Sequence, residues 1–335
     1  MVRALFLSDT HLGFDDPQRP RVARRARGPD FVASFDRALA HAIDARVDLV
    51  VHGGDLFHRS APPPAVVDLA AERLSRVART GIPVVLVCGN HERSRLPPSL
   101  FFRHPNLHVV DAPRALTLDV AGARLHFSAF PFVREVRAQF PELVRALPPD
   151  PRADVNVLLF HQTVEGATVG PSDFTFRQGD DVIPRDALPR GFDVFLSGHI
   201  HRSQVLDTRG RASVYYPGST ERTSVAERDE TKGFLTLDLA RRAPPRAHFH
   251  PLETRPQVTL AVPARAADDL VDFVARALRE IPDDAVVRVT TDAPSPGLAA
   301  LLRAHAPPTM SFDFGAPRTT TATHRAAARA HALFR

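Results

Sequence analysis

Five short apolar runs, each closed by a turn that carries Asp, Asn or His, constrain this chain more than any other feature of its sequence. Val2 to Leu7 leads into Asp9-Thr10-His11, Val47 to Val51 into Gly54-Asp55-Leu56-Phe57-His58, and Val84 to Val87 into Gly89-Asn90-His91-Glu92. Val155 to Phe160 leads into His161-Gln162, and Val194 to Leu196 into Gly198-His199-Ile200-His201. Runs of this length bounded by turn residues read as core strands. Between the first two runs, Phe31, Phe35, Ala38, Leu39, Ala42 and Ile43 share one face of a helix. After Pro62-Pro63-Pro64, the residues Val66, Val67, Ala70, Leu74 and Val77 repeat that spacing until Gly81-Ile82-Pro83 stops it. This alternation predicts an α/β sandwich with helices covering its sheets.

The polar segments all lie just past the carboxyl ends of their strands, where open α/β sheets place ligands. One such Asp or His is more often a turn residue or a satisfied polar group. Five in one chain, all offering carboxylate, imidazole or amide, point to a shared site. Divalent metals such as manganese, iron or zinc accept this mixture of oxygen and nitrogen donors without sulfur. In Asp9-x-His11 and His199-x-His201, residues two apart on an extended segment point the same way, so one turn delivers two ligands. Asp55 carries two acceptor oxygens and can bridge two ions. Two metals about 3.5–4 Å apart activate a shared water and steady both oxygens of an in-line displacement at phosphorus. The chemistry read from the residues is phosphoester hydrolysis.

Composition narrows the setting. With 335 residues and 44% apolar content, the chain is long enough for a sizeable core and about two domains. The N-terminal run lacks the layout of a secretory signal, and no stretch approaches the roughly 20 apolar residues that span a bilayer. The expectation is a cytoplasmic protein without membrane contact. Cys88 is the only cysteine and reads as a small buried hydrophobe. Net charge is +5, and Lys232 is the only lysine among 43 basic residues. Arginine in such excess reflects coding bias, yet a basic balance suits a polyanionic partner.

Residues 1–240 read as the metal-bearing domain. Residues 241–256 form a linker or a peripheral strand region, and 257–314 a small α+β unit. That unit reads as a strand Val258 to Val262, a helix Ala266 to Arg279, a strand Ala285 to Thr290 and a helix Gly297 to Ala304. The stretch 315–335 is a Thr-, Ala- and Arg-rich tail expected to be mobile.

The ordered set DTH, GDLFH, GNHE, FHQ and SGHIH resembles the calcineurin-like metallophosphoesterase superfamily. Leu56-Phe57-His58 is similar to the Mre11/SbcD nucleases, whereas protein phosphatases carry GDxxDRG there. The runs Phe192 to Val205 and Tyr216 to Phe234 are similar to bacterial DNA-repair exonucleases of this group. The resemblance implies a four-layer α/β/β/α metallophosphoesterase sandwich followed by the α+β unit as a capping domain that grips DNA. It implies one metal on Asp9, His11, Asp55 and His201, and a second on Asp55, Asn90, His161 and His199, with manganese as the metal. His91 would stabilise the attacked phosphate or protonate the leaving 3′ oxygen, and His58 would help to handle the DNA end or fix its loop. Arg93 and Arg95 are candidates for phosphate contact or a solvated basic face; Arg222 is a candidate for phosphate contact or a structural turn. His52 reads as structural, and Glu92, where relatives more often have Asp, as a change of little effect. The implied activity is 3′ to 5′ exonuclease and endonuclease cleavage in double-strand-break repair, often as a homodimer and with an SbcC/Rad50-like ATPase. A small-molecule or cyclic-nucleotide phosphodiesterase on the same scaffold, or a non-catalytic DNA-binding subunit, remain the alternatives.

Overall fold

The computed structural model describes residues 1–15, 26–93, 96–100, 104–208, 210–241, 243–263, 267–291 and 297–314. The chain divides into two compact units, one ending at Thr254 and the other beginning at Arg255. The first contains two six-stranded sheets. One is built from β1 (Val2–Leu7), β2 (Leu49–His52), β3 (Val84–Val87) and β4 (Leu107–Val110). The other takes β5 (Arg114–Val120), β6 (Ala123–Ala129), β7 (Val155–Phe160), β8 (Val194–Ser197), β9 (Gln204–Leu206) and β10 (Val214–Tyr216). The chain then returns to the first sheet as β11 (Gly233–Ala240) and β12 (Ala243–Pro251), giving the orders β12-β11-β1-β2-β3-β4 and β9-β10-β8-β7-β6-β5.

Side-chain alternation explains why the central strands read as continuous apolar runs. Leu5, Leu7, Val50, Val84 and Leu86 face the helices α1 (Gly28–Asp44) and α2 (Pro64–Arg79), packing on Phe35, Leu39, Ala70 and Leu74. Their neighbours Ala4, Phe6, Leu49, Val51, Val85 and Val87 point the other way and meet Leu125, Phe127, Val157, Leu159, Val194 and Leu196 of the second sheet. On the far side of that sheet, Leu158, Phe160 and Phe195 pack against Val136 and Phe140 of α3 (Val136–Ala146). These layers make the α/β/β/α sandwich. Both faces of β2, β3, β7 and β8 and, Arg3 apart, of β1 are therefore out of water, and burying a side chain such as Phe160 contributes about 1.5–3 kcal/mol.

Two features of the first unit carry no strong apolar signal. β5 alternates exposed and half-buried residues on the edge of the second sheet. The stretch 241–256, expected as a linker or a peripheral strand, is an edge strand over Ala243–Pro251 paired antiparallel with β11. It runs through Pro244 and Pro245, which only an edge tolerates.

The second unit is a three-stranded sheet of β13 (Gln257–Val262), β14 (Val286–Thr291) and β15 (Ser311–Phe314) in that order. α4 (Ala267–Arg279) and α5 (Leu298–His305) alternate with the strands, and all pairs are parallel. The α+β expectation narrows to a β-α-β-α-β unit. Its own core holds Leu260, Val262, Val274, Leu278, Val287, Val289, Leu302 and Met310. The expected tail, residues 315–335, lies outside the described residues. Among the described residues, no helix is long and apolar enough to cross a membrane.

Candidate metal centre

The parallel strands β1, β2, β3 of one sheet and β7, β8 of the other deliver their carboxyl ends to one place. The loops there are stitched by main-chain hydrogen bonds that continue the pairing past the strands. The Asp9 amide donates to Gly54 O at 2.9 Å, the His11 amide to Asp55 O at 3.0 Å, and the His58 amide to Leu12 O at 2.9 Å. Loops this close leave no room for side chains at two glycines. A Cβ on Gly89 would lie 2.5 Å from the Asp55 amide nitrogen, and one on Gly198 would lie 2.8 Å from His161 Nδ1. Asp9, His11, Asp55 and His199 sit in the left-handed region, at φ of 52°, 45°, 53° and 78°. Non-glycine residues hold that conformation only where the surroundings over-determine it, and such strain clusters at functional sites.

The expected ligands converge. Asp55 Oδ2 is 3.4 Å from His161 Nε2, 3.9 Å from His91 Nε2 and 4.0 Å from His11 Nε2. Asp9 Oδ1 lies 3.8 Å from His201 Nε2 and 4.0 Å from His161 Nε2. Asn90 Oδ1 lies 2.9 Å from His199 Nδ1 and 3.1 Å from His161 Nε2. His11 Nε2 and His201 Nε2 approach to 3.1 Å. Among the described residues, three groups have ligand atoms close enough to share an ion: Asp9, His11 and His201; Asp9, Asp55 and His161; and His11, His58 and His91.

The proton positions say what this cluster is short of. His161 Nδ1 must donate to the carbonyl of Gly53 at 2.7 Å, which turns its Nε2 toward Asn90 and Asp55. His201 Nδ1 faces Glu227 Oε1 at 3.1 Å, leaving Nε2 to face His11. The centre is thus lined by carboxylate oxygens, an amide oxygen and imidazole nitrogens. This donor mixture fits divalent ions of the manganese, iron or zinc type.

The electrostatics agree. Burial alone would raise Asp55, but the surrounding His161, His91 and His11 hold its carboxyl well below the usual range. Burial raises Asp9, outweighing the pull of His161 and His201. Burial would lower His161, yet Asp55 and Asp9 carry it up to about 9, so without metal this ring holds a proton where the metal's charge would go. Burial and His161 push His199 down to about 3.

The remaining candidates separate. His91 donates from Nδ1 to the His58 carbonyl at 2.8 Å; its side chain is 29% exposed, and Nε2 lies 3.9 Å from Asp55 Oδ2. The His58 ring stands 5.2 Å from that of His91 and 4.7 Å from Phe14, and burial pushes it down to about 4. His52 is fully buried; it accepts the Gly54 amide and meets Thr10 Oγ1 at 3.1 Å, a structural role. Arg93 is exposed beside the GNHE turn. Arg95 lies outside the described residues. Arg222 spends its guanidinium on Glu227 O at 3.1 Å, Glu230 O at 3.0 Å and Thr254 Oγ1, the geometry of a structural turn.

Two acidic residues gain roles that sequence reasoning missed. Glu92 is 2% exposed and accepts the amides of Phe57 at 2.7 Å and Gly89 at 2.6 Å, tying the Asp55 loop to the Asn90 loop. Glu227 holds His201 from behind. Burial would raise Glu227, but the Lys232 ammonium and His201 hold it well below the usual range. A carboxylate among backbone amides, or a carboxylate near the chain's only lysine, was the signal available.

Known proteins place this geometry in context. The family model for calcineurin-like phosphoesterases matches residues 2–203. The chain is similar to the DNA double-strand break repair protein Mre11 of Halobacterium salinarum, 31% identical over 297 residues that cover 87% of this chain and 70% of that one. It is also similar to Mre11 of Methanopyrus kandleri, 27% identical over 251 residues covering 69% of this chain and 51% of that one. The chain spans about half the length of several of the curated relatives it matches. Among solved structures, TT1561 of Thermus thermophilus aligns over 71% of this chain and 94% of that chain at 12% identity, with a TM-score of 0.46, a likeness too loose to carry an argument.

Proposed function

Because the chain belongs to the calcineurin-like phosphoesterase family, we propose that it is a two-metal DNA nuclease of the Mre11/SbcD type. The reading includes 3′ to 5′ exonuclease and endonuclease cleavage in double-strand-break repair, beside an SbcC/Rad50-like ATPase. The observation that supports it most is the convergence of seven oxygen- and nitrogen-bearing side chains, those of Asp9, His11, Asp55, Asn90, His161, His199 and His201, on one place.

Asp9, His11, Asp55 and His201 would hold one ion and Asp55, Asn90, His161 and His199 the other, with manganese as the metal of the reading. Bound there, the ions would acidify a shared water and offset charge on the attacked phosphate. His91, part-exposed beside Asp55, would pass a proton to the leaving 3′ oxygen. His58, neutral near pH 7 because burial lowers it, can accept a hydrogen bond at the DNA end but does not add positive charge there. Arg93, exposed beside the site, would meet a phosphate, and Arg95, two residues on, would do the same. The second unit would add contacts along the DNA backbone, and a homodimer would double them.

The test compares end-labelled single- and double-stranded DNA with bis-(p-nitrophenyl) phosphate, with and without Mn2+. Metal-dependent DNA cleavage is expected. Rapid turnover of the small diester with no DNA cleavage would make the protein a small-molecule phosphodiesterase instead.

A further inference from the structure

Behind His201 lies a closed polar network. Lys232, the chain's only lysine, has a side chain with 0% exposure. Its ammonium carries three hydrogens, and three acceptors surround it: Glu227 Oε2 at 2.7 Å, Glu230 Oε2 at 2.8 Å and the His201 carbonyl at 2.9 Å. Glu227 uses its other oxygen for His201 Nδ1 at 3.1 Å and for the Thr223 hydroxyl at 2.6 Å. The Ser219 amide adds a second donor to the His201 carbonyl at 3.0 Å. One lysine–glutamate pair therefore grips His201 at both its main chain and its ring. In a chain that otherwise uses arginine for positive charge, a compact ammonium stands where a planar guanidinium would not find three converging acceptors.

We propose that Glu227 is a positioning residue for His201, fixing its ring with the hydrogen on Nδ1 and the lone pair of Nε2 toward the metal, and that this control acts on one of the two ions only. The asymmetry comes from what holds each ring. His161, in the other ion's set, is fixed by a peptide carbonyl, Gly53 O, which no side-chain substitution removes. His201 Nδ1 instead meets side chains, the Glu227 carboxylate at 3.1 Å and the Thr223 hydroxyl at 3.2 Å, and that hydroxyl is itself oriented by Glu227. Outer partners of this kind typically change metal affinity by about 10–100-fold when removed. The inference rests on the reading of His201 as a ligand, and the experiment separates the two.

Full-length protein stripped with chelator is titrated with Mn2+ by calorimetry, and ion content is measured after gel filtration, for the parent, His201→Ala, Glu227→Ala and Glu227→Gln. His201→Ala is expected to weaken one ion and spare the other. Glu227→Ala is expected to weaken that same ion by roughly 10–100-fold and leave the other at parental affinity. Glu227→Gln, which keeps the volume and one acceptor oxygen, is expected to fall between, and it carries the test alone if Glu227→Ala does not fold. Nitrogen-15 spectra of histidine-labelled, metal-free protein provide a readout independent of metal. The His201 signal, assigned by its loss in His201→Ala, should report a hydrogen fixed on Nδ1 in the parent and a mixture of tautomers in Glu227→Ala. Parental affinity for both ions in the Glu227 variants, an equal loss of both, or an unchanged His201 signal overturns the inference while leaving the ligand reading in place. Two ions bound at parental strength in His201→Ala overturns both.

Discussion

Asp55 is 1% exposed, and its two oxygens serve different neighbours: Oδ1 accepts the His91 amide at 2.9 Å, while Oδ2 lies 3.4 Å from His161 Nε2. Asp55→Asn keeps the shape but puts a neutral amide between two dications, so loss of both ions and of cleavage is expected. Metal analysis decides it, because two tightly held ions with near-normal activity would remove Asp55 from the bridging position. His91→Ala is expected to keep both ions while slowing hydrolysis by about 10²–10⁴-fold, the range for a positioned acid or base. A lost ion in that variant would reassign His91 to ligation. The donor residues are legible in the sequence because each follows a strand whose apolar run announces it. Glu92, Glu227 and Lys232 are not. Their roles come from main-chain amides and a histidine brought close by the fold, and a glutamate looks the same on a solvated face as behind a ligand.

The elements that place these donors are loops fitted backbone to backbone. Gly89 shows how tight the fit is, since any side chain there would press on the Asp55 amide and carboxylate. Gly89→Ala forces the two loops to part. It is expected to lose affinity for metal by at least the roughly 10-fold that follows displacement of ligand-supporting groups. Calorimetric titration with Mn2+ checks this, and parental affinity would show that the loops can separate without moving Asp55. Legibility at this scale follows burial. Val2–Leu7, Val84–Val87 and Val155–Phe160 read from the sequence with their observed bounds, since, Arg3 apart, both faces of each strand are covered. β5, with mostly exposed or half-buried residues, and α3, which contains Pro141, offer no such pattern. β15 escapes because Ser311-Phe312-Asp313-Phe314 is short and half polar.

At the scale of the whole molecule, every proposed ligand lies in the first unit, while the second has a core of its own. Removal of residues 256–335 is expected to spare hydrolysis of a small phosphodiester and to weaken duplex DNA binding. The full chain's affinity should fall with salt at a log-log slope of about −0.9 per phosphate neutralised, and the shortened chain should show a flatter slope. Equal slopes for the two would remove the second unit from DNA binding.

The edge strand Ala243–Pro251 has a bearing on how copies of the protein behave in concentrated solution. A nine-residue strand with one open side is a template onto which another chain can add, and Pro244 and Pro245 deny it amide hydrogens there. Replacing both with threonine should leave metal content unchanged and raise light scattering as concentration increases. Unchanged scattering would mean that Arg246 and the irregular pairing between Asp238 and Ala240 already guard the edge. If two copies do associate by adding strand to strand, Pro244 and Pro245 bring no amide hydrogen to the seam.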